Sequence, residues 1–330
     1  MLNLKGQSFL ALKDFTPRQI RLILDTAHQF KKNKLAGISN QLHPGKTIAL
    51  LFEKTSTRTR CAFVVGARDL GMHAEFLGKD DIQLGKKESV RDTAMVLGRM
   101  FDGIEFRGFS HQTVEDLAKY SGIPVWNGLT DQFHPTQGLA DLMTIEEELG
   151  FLRGARLAYV GDGRNNVSNT LMFASALMGL KFSIGAPREL FPDSKLVEEA
   201  NQLIEKYQTG ATITITEDPL QAVSEADAIY TDVWVSMGEE DKFAERISLL
   251  KSYQVNRELL AATHNQDVKF LHCLPAFHDR DTVFGKQIYQ QHGLEAMEVT
   301  DEVFHSKNSV VFEQAENRVY TIEAVMALTL

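Results

Sequence analysis

Ser56-Thr57-Arg58-Thr59-Arg60 sets three hydroxyls and two guanidinium groups within five residues. The run Thr47-Ile48-Ala49-Leu50-Leu51-Phe52 before it reads as a buried strand, and Cys61 to Ala67 after it reads as a helix. The cluster therefore falls on a strand-to-helix turn, where the first amide N–H groups of the helix lack intrahelical partners. Amides, hydroxyls and guanidinium forks aimed at one point make an anion site, for phosphate or carboxylate. A simple N-cap would need only one hydroxyl.

Five other stretches could carry chemistry. Gly103-Ile104-Glu105-Phe106-Arg107 reads as a strand that ends in an arginine. Phe133-His134-Pro135-Thr136-Gln137 places His, Thr and Gln where a loop enters a helix, with Pro135 fixing the first turn. His134 and Gln137 there suit a carbonyl or oxyanion. Tyr230 to Gly238 puts Asp232 at a strand end, a counter-charge for an ammonium, with Met237 available to an alkyl chain. Phe270-Leu271-His272-Cys273-Leu274-Pro275 ends a strand in a rigid turn; Cys273 reads more readily as a small buried hydrophobe, since no helix N-terminus or base marks it as a thiolate nucleophile. Gly161-Asp162-Gly163-Arg164-Asn165-Asn166 also follows a strand and opens a helix. It has Asn166 where a dinucleotide fingerprint needs its third glycine, so Asn166 reads instead as an amide for a carboxylate or ammonium.

These turns must be held by something, and the pattern around them is β–α alternation. Thr16-Pro17 opens a first helix, and strands begin at Thr47, His73, Gly103 and Pro124 with helical stretches between. A helix from about Thr136 to Leu149 reads as a link. The alternation then restarts with strands at Arg156, Lys181, Thr212, Ala228 and Lys269. The expectation is an α/β protein of two domains, each a parallel sheet flanked by helices. The first covers 1–150, with a last helix of about 316–330 packing back on it; the second covers 151–315. The active site is expected in the cleft between them, beyond the carboxyl ends of strands.

Composition sets the outer limits. The chain has 330 residues, 43% hydrophobic and 24% charged, as an ordinary globular protein has. A net charge of −9 with no basic block argues against nucleic acid, and no apolar run reaches membrane-spanning length. Two cysteines without a CxxC give no disulfide framework or zinc motif and fit a cytoplasmic protein.

Taken in chain order, Ser56-Thr57-Arg58-Thr59-Arg60, His134-Pro135-Thr136-Gln137, Asp232 with Ser236-Met237-Gly238, and His272-Cys273-Leu274-Pro275 resemble the motifs of the aspartate/ornithine carbamoyltransferase family, in its ornithine branch. The likeness runs to Glu316-Asn317-Arg318. It implies transfer of a carbamoyl group from carbamoyl phosphate to L-ornithine, giving citrulline and phosphate, with no metal and no organic cofactor. It also implies the roles. Ser56, Thr57, Arg58 and Thr59 would hold the phosphate. Arg107 and His134, with Thr59, would hold the carbamoyl oxygen and Gln137 the carbamoyl amine; Pro135 and Thr136 would belong to the same carbamoyl-phosphate site, and Arg318 would lie close by. Asn166, Asp232, Ser236 and Met237 would hold the amino-acid end of ornithine. Cys273 and Leu274 would sit near its δ-amine, with Arg107, His134 and Cys273 as the catalytic groups. The family is built on trimers, so a homotrimer or a multiple of trimers is expected, with Gln83 reaching a neighbouring subunit's site. A cis Leu274–Pro275 peptide is expected on the same ground. Cys273 and the departing phosphate both stand as proton acceptors. Competing readings are a carbamoyltransferase for putrescine or lysine, a non-catalytic anion-binding module, and a nicotinamide dehydrogenase.

Overall fold

The computed structural model describes residues 2–235 and 242–330. Two compact units are present, one of Met1–Met143 with Glu316–Leu330, the other of Thr144–Ala315. The division at Met143 falls inside a continuous helix, Pro135–Leu149, whereas the sequence reading placed it at that helix's end.

The first unit is a parallel sheet of β1 (Thr47–Phe52), β2 (His73–Gly78), β3 (Gly103–Arg107) and β4 (Val125–Leu129), in the order β2-β1-β3-β4. Its helices are α1 (Pro17–Leu35), α2 (Arg58–Asp69), α3 (Val90–Leu97) and α4 (His111–Ser121). Thr16 starts α1 with a capping box: Thr16 Oγ1 accepts from the Gln19 amide at 3.3 Å, and Gln19 Oε1 accepts from the Thr16 amide at 2.8 Å. β1 is an unbroken apolar run because helices cover both faces of a parallel sheet. Leu51, Ile104, Phe106, Val114, Leu117 and Val125 form the core around it. Burial of each large side chain there contributes about 1.5–3 kcal/mol before entropy is charged.

Helix α5 (Pro135–Leu149) leads into the second unit. Its sheet contains β5 (Arg156–Val160), β6 (Lys181–Gly185), β7 (Thr212–Thr216), β8 (Ala228–Thr231) and β9 (Lys269–His272), all parallel, in the order β7-β6-β5-β8-β9. Helices α6 (Asn166–Met178), α7 (Ser194–Tyr207), α8 (Pro219–Val223), α9 (Phe243–Leu250), α10 (Arg257–Ala261), α11 (Val283–His292) and α12 (Asp301–Phe304) surround it. Ala158, Val160, Ile229, Val255, Phe270, Val299 and Val303 are its core.

The last helix, α13, runs Val311–Thr329 and so begins five residues before the expected 316. Its final residues are tied to the first unit. Gly6 N–H donates to Thr329 O at 2.8 Å, Trp126 Nε1 to Thr329 Oγ1 at 3.0 Å, and Lys31 Nζ to Asn317 Oδ1 at 2.8 Å. Among the described residues, no helix is long and apolar enough to cross a membrane.

Each sheet reverses its strand order once. In the first, β2 lies on one side of β1 and β3 on the other; in the second, β6 and β8 flank β5. Such a reversal leaves an opening at the carboxyl ends of the two strands, because the crossovers leave in opposite directions. Ser56 to Thr59 and Arg107 follow β1 and end β3 at the first opening; Asn166 and Asp232 follow β5 and β8 at the second.

Candidate active site

In the first unit, β1 ends at Phe52 and pairs there with Arg107, the last residue of β3. The chain then turns through Ser56 and Thr57 into α2, whose first residue is Arg58. Thr59 is fully buried at the centre of this turn. Its Oγ1 lies 3.3 Å from Arg107 Nη1 and 2.9 Å from Arg318 Nη2, both donors. Arg318 Nη2 also reaches Thr136 Oγ1 at 3.3 Å, and the Thr59 amide donates to Ser56 Oγ at 3.3 Å. Arg60 is directed elsewhere: its guanidinium stacks on the Phe76 ring, 3.7 Å from the centroid.

Pro135 opens α5 and presents Thr136 and Gln137, both buried, with His134 just before it. His134 Nδ1 lies 3.4 Å from Thr136 Oγ1. Burial first, then the charges of Arg318, Arg107 and Arg58, hold the His134 imidazole well below the usual histidine range. The ring is neutral, so it offers an N–H to an oxygen without a charge of its own. Gln137 Nε2 donates to Asp141 Oδ1 at 2.8 Å, while its Oε1 is buried with no hydrogen-bond partner. A buried carbonyl oxygen in that state is suited to an amino group.

Glu105 was not singled out from sequence. It is fully buried in β3, and neither carboxyl oxygen has a hydrogen-bond partner. Burial raises its carboxyl well above the usual range, and the opposing pull of Arg107 and Arg318 does not outweigh it. A β-carbon at Gly128 would collide with Glu105 Oε1, so β4 needs glycine there. The available signal was an acid between Ile104 and Phe106 in an otherwise apolar strand.

Gln83 lies apart from this set. It is exposed on the segment after β2, where its carbonyl accepts from the Lys86 amide at 2.9 Å. Among the described residues its side chain has no hydrogen bond to Arg58, Arg107 or His134.

In the second unit, Asp232 follows β8, Cys273 follows β9, and Asn165 caps α6 beyond β5. Asp232 Oδ2 accepts from Asn165 Nδ2 at 2.8 Å. Its Oδ1 accepts from the Val233 amide at 2.8 Å and from Cys273 Sγ at 3.1 Å. Sequence pointed to Asn166, which is the first residue of α6 and half-buried; Asn165 is the one that bonds Asp232. Tyr159, in β5, was also missed. Its hydroxyl is buried without a partner, and burial, then the charge of Asp232, raises it well above the usual phenol range.

The turn after β9 is set by hydrogen bonds. The Leu274 amide donates to His272 Nδ1 at 2.9 Å, which leaves the ring proton on Nε2, 3.2 Å from Glu298 Oε1. The Leu274–Pro275 peptide is cis, as the sequence reading expected. Ser236 and Met237 lie outside the described residues.

Two family models match the chain. One, described as the carbamoyl-P binding domain of aspartate/ornithine carbamoyltransferase, matches residues 7–147. The other, the Asp/Orn binding domain of the same family, matches residues 153–329. The chain belongs to the aspartate/ornithine carbamoyltransferase family. A catabolic ornithine carbamoyltransferase of Bacillus licheniformis is 61% identical over 329 residues, covering 100% of this chain and 98% of that protein. One from Staphylococcus aureus is 58% identical, covering 99% and 97%. The solved ornithine carbamoyltransferase of Pyrococcus furiosus superposes with a TM-score of 0.91 at 42% identity, covering 100% and 98%. The anabolic enzyme of Campylobacter jejuni gives 0.85 at 34%, covering 97% of each.

Proposed function

We propose that this chain catalyses carbamoyl phosphate + L-ornithine = L-citrulline + phosphate, as an ornithine carbamoyltransferase. The observation that carries the site assignment is the set around His134, between β4 and α5: an imidazole held well below the usual range by burial and by Arg318, Arg107 and Arg58. Three fixed cations beside uncharged donors match a dianionic phosphate joined to a polar carbonyl.

In this reading Ser56, Thr57, Arg58 and Thr59 take the phosphate at the N-terminus of α2, with Arg318 and a neighbour's Gln83 beside them. Thr59, Arg107 and His134 take the carbamoyl oxygen, and Gln137 takes the amino group. Asn166, Asp232, Ser236 and Met237 hold the α-amino and α-carboxylate end of ornithine, with Cys273 and Leu274 near the δ-amine.

The δ-nitrogen lone pair attacks the carbamoyl carbon, negative charge grows on the carbonyl oxygen, and the carbon–oxygen bond to phosphate breaks with its electron pair leaving on phosphate. Donors fixed before the reaction stabilise both charges; loss of one such donor costs about 2.7–4 kcal/mol. Holding the two reactants together removes much of the entropy cost of their encounter. The nitrogen must also lose a proton. The Cys273 thiol already donates to Asp232, which makes it a poor acceptor, so we assign the proton to the departing phosphate.

The nearby relatives named catabolic support a role in arginine degradation, in which the reaction runs from citrulline and phosphate. A deletion strain that keeps arginine synthesis but loses citrulline phosphorolysis in extracts agrees with that role; a strain that becomes an arginine auxotroph contradicts it. We place the protein in the cytoplasm, where its two unpaired cysteines would stay reduced, and read its working form as a trimer or multiple of trimers. Sedimentation that gives a monomer at working concentration contradicts the trimer.

The activity is tested with purified protein, carbamoyl phosphate and a panel of amines. Citrulline from ornithine, with little product from putrescine or lysine, is the expected result. Equal turnover of putrescine, which has no carboxylate, contradicts the assignment of the amino-acid end.

A further inference from the structure

His278, Asp301 and His305 converge on the second unit's surface, away from the groups above. His278 lies in the segment between β9 and α11; Asp301 opens α12, and His305 follows its end. His278 Nδ1 is 2.8 Å and His305 Nδ1 is 2.9 Å from the same atom, Asp301 Oδ1. The three atoms all lie within 4.8 Å of one another. A fourth donor is at hand: Asp279 Oδ2 is 3.5 Å from His278 Nδ1.

Aromatic contacts hold both rings in this arrangement. His278 lies flat on Phe304, with centroids 3.8 Å apart and planes 8° from parallel. His305 stands edge-on to both Phe304 and His278, at 5.0 and 5.2 Å. The imidazole nitrogens are therefore aimed before any ligand arrives, which lowers the ordering cost of binding.

We propose that His278, Asp301 and His305 form a binding site for a divalent transition-metal ion of the zinc class. A carboxylate only accepts, so both Nδ1 atoms carry their ring protons toward Asp301 without metal. An ion takes their place when each ring moves its proton to Nε2. Tetrahedral bonds of about 2.0–2.1 Å put ligand atoms roughly 3.3 Å apart, so the two spacings to Asp301 Oδ1 would open by about half an ångström, while the two imidazole nitrogens already lie within 4.8 Å of each other. Two imidazoles with one carboxylate select zinc, cobalt or nickel over magnesium and calcium, which prefer all-oxygen shells. Asp279 or water completes the shell. The ion would pin the segment after β9, which carries Cys273 and Leu274, to α12; it takes no part in carbamoyl transfer.

Among the described residues, one other cluster could take the same ion: Asp232, His272 and Cys273 also lie within 4.8 Å of one another. The experiment separates the two. Untagged full-length protein is titrated with Zn2+ by calorimetry and with Co2+ by visible absorption, as wild type, His305→Ala, Asp301→Asn and Cys273→Ser. Thermal melts without metal verify that each variant is folded. The proposal expects a bound equivalent that Cys273→Ser keeps, that His305→Ala and Asp301→Asn weaken at least about tenfold, and whose Co2+ spectrum lacks a thiolate charge-transfer band. Zn2+ should raise the melting temperature of wild type and Cys273→Ser by this equivalent, and that rise should vanish in His305→Ala. No stoichiometric binding to wild type overturns the site. So does binding that His305→Ala leaves unchanged, or that only Cys273→Ser removes.

Discussion

At the residue scale, two buried groups in the first unit owe their state to position. His134 is neutral because burial and three guanidinium groups all oppose a proton. Burial pushes the Glu105 carboxyl well above the usual range, against the pull of Arg107 and Arg318, and neither of its oxygens has a hydrogen-bond partner. If Glu105 is uncharged, glutamine is its near-isostere. Glu105→Gln should therefore keep citrulline synthesis within a few-fold of wild type and shift stability by less than about 1 kcal/mol. If Glu105 instead works as a carboxylate balancing Arg107 and Arg318, the same change leaves those cations uncompensated, and a loss above tenfold in kcat/KM would reveal it. Asp232, in the second unit, accepts from Asn165, Val233 and Cys273. Asp232→Asn removes the counter-charge for an ammonium, so the KM for ornithine should rise well above tenfold; a KM change confined to carbamoyl phosphate would contradict its place at the amino-acid end.

At the element scale, the strand-turn-helix units were legible because an apolar run followed by turn chemistry and a helical period has few other solutions. The anion turn and the start of α5 at Pro135 came through on that basis. The start of α13 did not. Val310-Val311-Phe312 is β-branched and aromatic, and nothing local marks it as helix, so the sequence reading began the helix at 316. The partnership of Asn165 with Asp232 and the buried hydroxyl of Tyr159 were illegible for another reason: they join β5, β8 and α6, and sequence does not reveal which strands become neighbours. One consequence concerns how α13 is anchored. Glu323, fully buried, accepts from Asn40 Nδ2 at 3.1 Å. Burial raises its carboxyl from 4.5 to about 7, against the Asn40 bond and Lys34, with Asp69 adding to the rise. The folded state then holds a proton that the unfolded chain releases above 4.5. That contribution to stability is fully present below about pH 4.5 and fades as pH rises toward 7, by up to about 3 kcal/mol. Unfolding curves of wild type and Glu323→Gln, compared across this window, should show the slope in wild type only. Parallel curves would mean that Glu323 is ionised when buried.

At the scale of the whole molecule, the loop that carries Gln83 is polar, exposed and unattached to the cluster of its own chain. If it serves a neighbour, an oligomer mixed from Gln83→Ala and Arg107→Ala chains will contain some sites with both residues intact. Activity should return after the two variants are dissociated and reassembled together. If Gln83 acts within its own chain, each site keeps one lesion and the mixture stays inactive. The wider claim is a division of labour: the first sheet's reversal takes carbamoyl phosphate, and the second takes the amine. The affinity of carbamoyl phosphate for wild type, Arg58→Ala and Asp232→Asn tests it most directly. Arg58→Ala should lose a charge-assisted contact of about 1.5–3 kcal/mol, roughly ten- to 150-fold in affinity, while Asp232→Asn binds within about twofold of wild type. Near-native binding by Arg58→Ala, or an equal loss in both variants, would contradict the account.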